Sequence, residues 1–284
     1  MTTYWRRLRE VVADRGPLCV GIDPHASLLK AWGLEVSAAG AERCARTLVE
    51  ALGDQVAAFK PQSAFFEAYG SAGIAALERV LADIAGTGAL SILDVKRGDI
   101  GSTMEAYADA YLADGSPLAA DAITLSPYLG FGSLAPAFER AHRYERGVYV
   151  LARTSNPEGG QVQLALTQDA SVVQSIIDAA TEVNHASRQK AIGLVVGGTH
   201  ASLGCDLSDF NGSILVPGIG VKGGRMEDLP DLSQRFKLTP AQNGRIAMAQ
   251  AIGLMIGSFA AGPLMDIYGK KLGVVGGLLL IAVA

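Results

Sequence analysis

The chain has 284 residues, of which 49% are hydrophobic and only 18% are charged, against about a quarter charged in an ordinary globular domain. A net charge of −4, with no basic cluster beyond Arg6 and Arg7, argues against a nucleic-acid-binding protein. Three scattered cysteines form neither a disulfide framework nor a zinc-binding pattern. The charge is unevenly distributed, because residues 1–236 carry a net −7 and residues 237–284 a net +3. This step predicts two segments of different origin or environment.

The N-terminal residues predict an amphipathic helix with its apolar positions at Trp5, Leu8, Val11 and Val12. Arginines occupy the stretch in which a signal peptide needs an apolar core. We therefore expect a cytoplasmic protein.

Seven short apolar runs follow, each succeeded by a stretch of helical character. They cover residues 18–23, 56–61, 91–96, 122–126, 147–154, 191–198 and 213–220. Residues 41–53 and 73–86 are Ala-rich amphipathic runs that predict two of the intervening helices. Strands that are apolar throughout are typical of a parallel sheet covered by helices. Seven successive βα units predict an α/β protein of the TIM (β/α)8-barrel type.

Polar residues stand at the C-terminal ends of these predicted strands. They are Asp23, Lys60, Asp94, Lys96, Ser126, Thr154, Ser155 and the glycines of residues 218–220. In a TIM barrel these strand ends converge on one mouth, which holds the active site. Contact with solvent also explains an uncharged residue such as Ser126, whereas Lys60 and Asp94 next to apolar runs need partners.

No eighth strand of this kind follows residue 220. Residues 246–265 are 20 residues without a charge, and a helix of that length, about 30 Å, crosses a bilayer. After a polar stretch, residues 272–284 are apolar again. We expect a barrel domain over residues 1–236, with its eighth βα unit replaced by an apolar helical tail over residues 237–284. Membrane association through residues 246–284 follows as a hypothesis.

The densest group of candidate catalytic residues is Asp94, Lys96 and Asp99. Asp94 and Lys96 lie two positions apart on one strand, so their side chains point to the same side. Two carboxylates beside one ammonium keep the lysine protonated and concentrate negative charge near a bound substrate. A solvated ion pair at a strand end has the same spacing, so this pattern alone leaves both interpretations open.

Five motifs occur in order over about residues 1–224. They are VGIDP (20–24), FKPQSAFFE (59–67), DVKRGDIGST (94–103), RTSNP (153–157) and PGIG-x-x-GG (217–224). Together they resemble the longer bacterial branch of the orotidine 5′-monophosphate decarboxylases. The resemblance implies conversion of orotidine monophosphate to UMP and CO₂ in pyrimidine biosynthesis without a cofactor or metal.

The resemblance also implies residue roles. Lys96 would donate a proton to C6 of the pyrimidine, and Asp94 would face the substrate carboxylate. Asp99, Ile100 and Thr103 would reach the neighbouring subunit's site, which implies a homodimer with shared active sites. The residues implied to bind the ribose and the pyrimidine are Asp23, Lys60, Thr154 and Ser155.

Two departures concern the phosphate site. The family's PGIGAQGG loop reads PGIGVKGG here, which leaves Gly220 in place and puts Lys222 at the position of the glutamine that touches the phosphate. The family's phosphate-binding arginine, which follows an eighth strand, has no counterpart in its motif. Arg225 is the nearest arginine.

The tail has a resemblance of its own. GPLMDIYGKK (262–271), within residues 238–284, is similar to a loop between transmembrane helices of major facilitator superfamily sugar transporters. Two alternatives to an active decarboxylase stay open, one because of this tail and one because of the paired Asp94 and Lys96. One is an impaired or non-catalytic membrane-associated fusion product, and the other is a Mg²⁺-dependent sugar-phosphate lyase of the same superfamily.

Overall fold

The computed structural model describes residues 2–187, 189–219 and 278–282. The strands are β1 Leu18–Ile22, β2 Ala58–Pro61, β3 Leu90–Arg97, β4 Ala122–Leu125, β5 Gly147–Arg153, β6 Ile192–Val196, β7 Ile214–Ile219 and β8 Leu278–Ala282. The helices are α1 Tyr4–Arg15, α2 Ala26–Ala31, α3 Ala38–Leu52, α4 Ala64–Glu67, α5 Gly70–Ala85, α6 Gly101–Leu112, α7 Ala135–Arg143, α8 Gly160–Gln163 and α9 Val172–Ala186. Short 3₁₀ turns at Phe131–Leu134 and Pro157–Gly159 precede α7 and α8. The seven predicted strands and the amphipathic N-terminal helix are confirmed.

The eight strands form one closed barrel in sequence order. Each strand from β1 to β6 pairs in parallel with the next one along the chain. The last strand, β8, fills the gap between β7 and β1 and runs antiparallel to both. The fold is thus of the predicted barrel type, but it is closed by an antiparallel eighth strand where the sequence predicts none.

The prediction of a helical tail is wrong for residues 278–282, which form β8. An open seven-stranded sheet leaves the backbone N–H and C=O groups of β1 and β7 unpaired, and such edges demand a partner. Residues 278–282 pair with both of these edges. The transporter-like stretch at residues 262–271 and the uncharged run at 246–265 lie outside the described residues.

Two apolar layers pack on opposite sides of the strands, because successive strand residues face opposite ways. The larger layer lies between strands and helices and includes Phe59, Leu93 and Val150. The smaller layer includes the strand residues Cys19, Ala58, Ile92, Ala122, Tyr149 and Leu215, together with Tyr4 and Leu8 of α1. These strand residues alternate with those of the larger layer, so they fill the barrel interior.

Helix α1 packs against the N-terminal ends of the strands. The hydroxyl of Tyr4 lies 2.9 Å from that of Tyr149 inside the barrel. Arg7 donates to the carboxylate of Asp121, which also accepts from the backbone N–H and hydroxyl of Ser91. This end of the barrel is therefore closed by packing and ion pairing. The opposite end carries the polar residues that stand at the C-terminal ends of the strands.

Candidate active site

The polar residues of the mouth continue the inward-facing rows of the barrel. Lys60 follows Ala58 by two positions, Asp94 follows Ile92, and Thr124 follows Ala122. The period of two keeps each on the same face as its apolar predecessor. The apolar layer of the barrel interior therefore lies directly beneath a charged cluster at the C-terminal ends of β2, β3 and β4.

Asp94 is the centre of this cluster. Its Oδ2 lies 2.8 Å from Nζ of Lys60, and its Oδ1 lies 2.6 Å from Nζ of Lys96. The hydroxyl of Thr124 donates to the same Oδ1 at 2.8 Å, and Lys60 also donates to the side-chain oxygen of Gln62 at 3.1 Å. Both carboxylate oxygens are thus engaged by cations, which contradicts the alternative of a simple solvated pair.

The two lysines differ in how much of each side chain is exposed to solvent. The side chains of Lys60 and Asp94 are 7% and 8% exposed, whereas that of Lys96 is 46% exposed. Lys60 is therefore a fixed counter-ion below the carboxylate, and Lys96 presents its ammonium to the mouth.

The pKa values of the buried pair follow from these contacts. Burial on its own would raise the pKa of Asp94, but attraction to Lys60 and Lys96 outweighs it and lowers this pKa to about 2. Burial opposes the charged form of Lys60 as well, yet Asp94 and Asp23 raise its pKa above the ordinary value. Asp94 is therefore a permanent anion, and Lys60 is a permanent cation, at neutral pH.

Asp99, Ile100 and Thr103 lie beyond the end of β3, where the chain turns into α6. The carboxylate of Asp99 accepts a hydrogen bond from the N–H of Ile100 at 2.8 Å. The Ile100 side chain is 62% exposed, and Thr103 is exposed as well. Ile100 and Thr103 are thus exposed on their own chain, whereas Asp99 is half-buried.

Thr154 and Ser155 follow β5 on another side of the mouth. Gln163 of α8 accepts from the Thr154 N–H at 3.1 Å and donates to its hydroxyl at 2.7 Å. The hydroxyl of Thr199 donates to the Ser155 carbonyl at 2.6 Å, and the His200 ring lies 2.6 Å from the Thr154 carbonyl. Both residues are therefore positioned through their backbones by the segment that follows β6.

The remaining predicted substrate-binding residues fall in two groups. Asp23 follows β1 at the mouth, where its charge acts on Lys60. Gly220 and Lys222 lie outside the described residues, as does Arg225.

Sequence reasoning missed four residues of the mouth: Gln62, Thr124, Gln163 and His200. The His200 ring bridges the backbone of Thr154 and the guanidinium of Arg153. Thr124 was detectable, because it lies one period before Ser126 on a predicted strand. Gln163 was not detectable, since its contact joins residues nine positions apart across an irregular loop.

The fold and the polar mouth are those of a (β/α)-barrel enzyme. At the carboxyl ends of the strands, a buried carboxylate lies between two ammonium groups. The chain belongs to the orotidine 5′-phosphate decarboxylase / HUMPS family, whose model matches residues 16–239.

Named relatives agree with this membership. The chain is 54% identical over 231 residues to the orotidine 5′-phosphate decarboxylase of Salinispora tropica, an alignment covering 81% of this chain and 83% of that protein. It is 50% identical over 232 residues to that of Streptomyces coelicolor, covering 81% and 84%. A crystal structure from Streptomyces avermitilis described as an orotidine 5′-phosphate decarboxylase superposes with a TM-score of 0.77 at 52% identity, covering 81% of each chain.

Proposed function

We propose that this protein is an orotidine 5′-monophosphate decarboxylase, a carboxy-lyase that forms UMP and CO₂ in pyrimidine biosynthesis. The observation that carries the proposal is the position of Asp94, whose buried carboxylate contacts the ammonium groups of Lys60 and Lys96. The family membership and the relatives at 50–54% identity support the same reaction.

Asp94 supplies electrostatic strain to the bound substrate. A substrate carboxylate placed about 4 Å from Asp94 is repelled by roughly 4 kcal/mol at an effective dielectric constant of about 20. Relief of that repulsion as CO₂ departs accelerates the reaction by about a thousandfold. The pKa of about 2 means that Asp94 is ionised at neutral pH before the substrate binds.

Lys96 acts where the negative charge develops. The bond between C6 and the carboxylate carbon breaks, its electron pair stays on C6, and CO₂ leaves. The ammonium of Lys96 stabilises this pair and then donates a proton to C6, after which solvent reprotonates the lysine. Its 46% exposed side chain makes the ammonium accessible from the mouth.

Other residues of the mouth position the substrate in this proposal. Asp23 and Lys60 contact the ribose hydroxyls, and Ser155, assisted by Thr154, contacts the pyrimidine amide. The backbone at Gly220 and the ammonium of Lys222 receive the phosphate. Binding energy from the phosphate and ribose helps to hold the reacting carboxylate against Asp94.

A homodimer with shared sites is part of the proposal. Ile100 is 62% exposed, and Tyr128 and Leu129 of the loop after β4 are 80% and 53% exposed, an apolar surface that a second copy would cover. Asp99, Ile100 and Thr103 would then enter the partner's site. Ile100→Asp is expected to shift the sedimentation coefficient from dimer to monomer, whereas Val36→Asp, at another exposed apolar residue, leaves the dimer intact. A monomeric wild type contradicts the shared site.

The Mg²⁺-dependent lyase is not favoured. Both oxygens of Asp94 already contact ammonium groups, which repel a divalent cation at this position. Among the described residues no group of three His, Cys, Asp or Glu side chains is arranged to hold a metal ion. Loss of decarboxylation on chelation of Mg²⁺ would reverse this preference.

The membrane-associated alternative depends on residues 246–284. Within the ranges that the structure describes, no helix has both the length and the apolar character needed to cross a bilayer. Cytoplasmic localisation stays our expectation, and detergent-free ultracentrifugation of a lysate tests it by whether the full chain remains in the supernatant.

The activity is tested by CO₂ release from orotidine 5′-monophosphate. The wild type is expected to release CO₂ in amounts equal to the UMP formed, and Lys96→Ala is expected to lower kcat by at least a thousandfold. Lys30→Ala, at an exposed lysine of α2, is the control and should match the wild type. Equal activity of Lys96→Ala and the wild type would contradict the proposal.

A further inference from the structure

Lys96 has a backbone conformation that is uncommon for its residue type. Its φ angle is +46°, in the left-handed region, although it lies within β3. A side chain at positive φ is strained, and such a residue persists only where its surroundings fix it. The pairing register of β3 with β4 also shifts between Leu93 and Arg97. The chain therefore needs contacts that hold this irregularity in place.

The side chain of Arg97 supplies contacts that span Lys96. Its Nη1 donates to the carbonyl of Val95 at 3.1 Å, so the guanidinium bonds to the residue immediately before Lys96. Its Nη2 donates to Oε1 of Glu67 at 2.6 Å. The backbone on either side of Lys96 is thereby joined by one side chain, which is anchored on α4.

Aromatic rings and a second hydrogen bond immobilise this guanidinium. Its carbon lies 5.5 Å from the centre of the Tyr107 ring and 5.9 Å from that of Tyr111. The Tyr111 hydroxyl also lies 3.4 Å from Nη2. Because the guanidinium already lies against two rings of α6, forming its hydrogen bonds costs little further side-chain entropy.

Glu67 connects the same guanidinium to Asp94. The hydroxyl of Ser63, which is 2% exposed, donates to Oε1 of Glu67 at 2.6 Å. The N–H of Ser63 in turn donates to the backbone carbonyl of Asp94 at 3.2 Å. A continuous path of hydrogen bonds thus runs from Arg97 through Glu67 and Ser63 back to β3.

The Arg97 side chain lies on the outer side of the barrel. The alternation of a regular strand does not extend through the irregular backbone at Lys96, so the contacts of Arg97 define its orientation. Its contacts with Glu67, Tyr107 and Tyr111 agree with this orientation. The guanidinium can therefore influence the reaction through the backbone and not by touching the substrate.

We propose that Arg97 and Glu67 form a positioning pair that holds Lys96 in its left-handed conformation and so keeps its ammonium against Asp94. The inference rests on the proposed function, in which Lys96 is the proton donor. It assigns two residues outside the mouth to the rate of the chemical step rather than to substrate binding.

The test compares Arg97→Ala, Arg97→Lys and Glu67→Gln with the wild type. Arg97→Ala is expected to lower kcat at least tenfold while KM and the Kd for UMP change less than threefold, because the substrate contacts remain. Arg97→Lys keeps the charge but loses the planar fork, so it should recover part of kcat. Glu67→Gln should give a kcat between those of Arg97→Ala and the wild type. If Arg97→Ala does not fold, the kcat of Glu67→Gln tests the positioning role. Arg79→Ala breaks a comparable ion pair with Glu42 between α3 and α5 and serves as the control.

A second readout does not depend on decarboxylation. Acylation of lysines by an N-hydroxysuccinimide ester is measured by mass spectrometry at Lys96 relative to Lys30. Release of Lys96 from Asp94 should increase its relative rate at least threefold in Arg97→Ala or Glu67→Gln, and not in Arg79→Ala. A kcat within twofold of the wild type, or an unchanged acylation rate, overturns the positioning role. An inactive wild type overturns the proposed function, and the acylation ratio then decides the positioning role by itself.

Discussion

Nζ of Lys60 lies 2.8 Å from Oδ2 of Asp94, and less than a tenth of either side chain is exposed. This contact helps to lower the pKa of Asp94 from 3.8 to about 2. Because the folded-state pKa lies below the unfolded one, the resulting stabilisation is fully present above about pH 4 and is lost as the pH falls towards 2. Its size is about 2–3 kcal/mol.

The free energy of unfolding, measured by urea titration at a series of pH values, checks this window. Asp94→Asn is expected to reduce the decline between pH 4 and 2 by that amount. Asp83→Asn, at an exposed pair with Arg46, should keep the decline. If Asp94→Asn shows the pH profile of the wild type, the carboxylate does not have its low pKa.

The hydroxyl chain at the closed end of the barrel should affect stability alone. Tyr149 bonds to Tyr4 at 2.9 Å and accepts from Ser213 at 3.0 Å, all three being buried. Tyr149→Phe leaves two buried hydroxyl groups without this partner, which costs about 1–3 kcal/mol. Thermal and urea unfolding measure the loss, and kcat should stay within twofold of the wild type. Tyr144→Phe, at a half-buried ring that lies beside Arg143, is the matched control and should leave stability unchanged.

Gly197 should be intolerant of a side chain because it packs against Ser155. A Cβ at this position would lie 2.5 Å from Cα of Ser155, closer than two such atoms approach. Gly197→Ala must move Ser155, and we expect KM for orotidine 5′-monophosphate to rise about tenfold, an effect of roughly 1.4 kcal/mol. Gly132→Ala, where a Cβ meets nothing within 4 Å, is the control. An unchanged KM in Gly197→Ala would remove Ser155 from the substrate contacts.

The closing strand should depend on its backbone donors. Residue 280 pairs with Leu18 of β1 and with Val216 of β7. Leu280→Pro removes its N–H and restricts φ, which a strand between two others does not tolerate. Amide hydrogen exchange in β1 and β7 should accelerate in this variant but not in Leu280→Ala, which keeps the N–H. Unchanged protection of both strands in Leu280→Pro would mean that residues 278–282 do not close the barrel.

The order of the strands and the chemistry of the mouth were accessible from sequence. Apolar runs of four to eight residues separated by helical stretches define the parallel strands, and the period of two puts Asp94 and Lys96 on one side. Lys60 was placed at the mouth because its strand end had to meet the others there. These are consequences of local pattern and barrel closure.

Pairing between distant residues was not accessible. The apolar run at 272–284 fits helix and strand alike, and only the unpaired edges of β1 and β7 select the strand. The Arg97–Glu67 pair spans 30 positions and depends on how α4 packs beside β3. Such contacts follow from three-dimensional geometry, for which spacing along one chain gives no signal.

The role of Lys96 as the proton donor can be tested by isotope labelling of C6 in the product. Orotidine 5′-monophosphate is incubated with the enzyme in D₂O, and the UMP formed is examined by NMR. The wild type is expected to form UMP carrying one deuterium at C6, and Lys96→Ala is expected to give a product yield at least a thousandfold lower. Absence of UMP from the wild type, or C6-deuterated UMP formed at the wild-type rate by Lys96→Ala, would contradict this role.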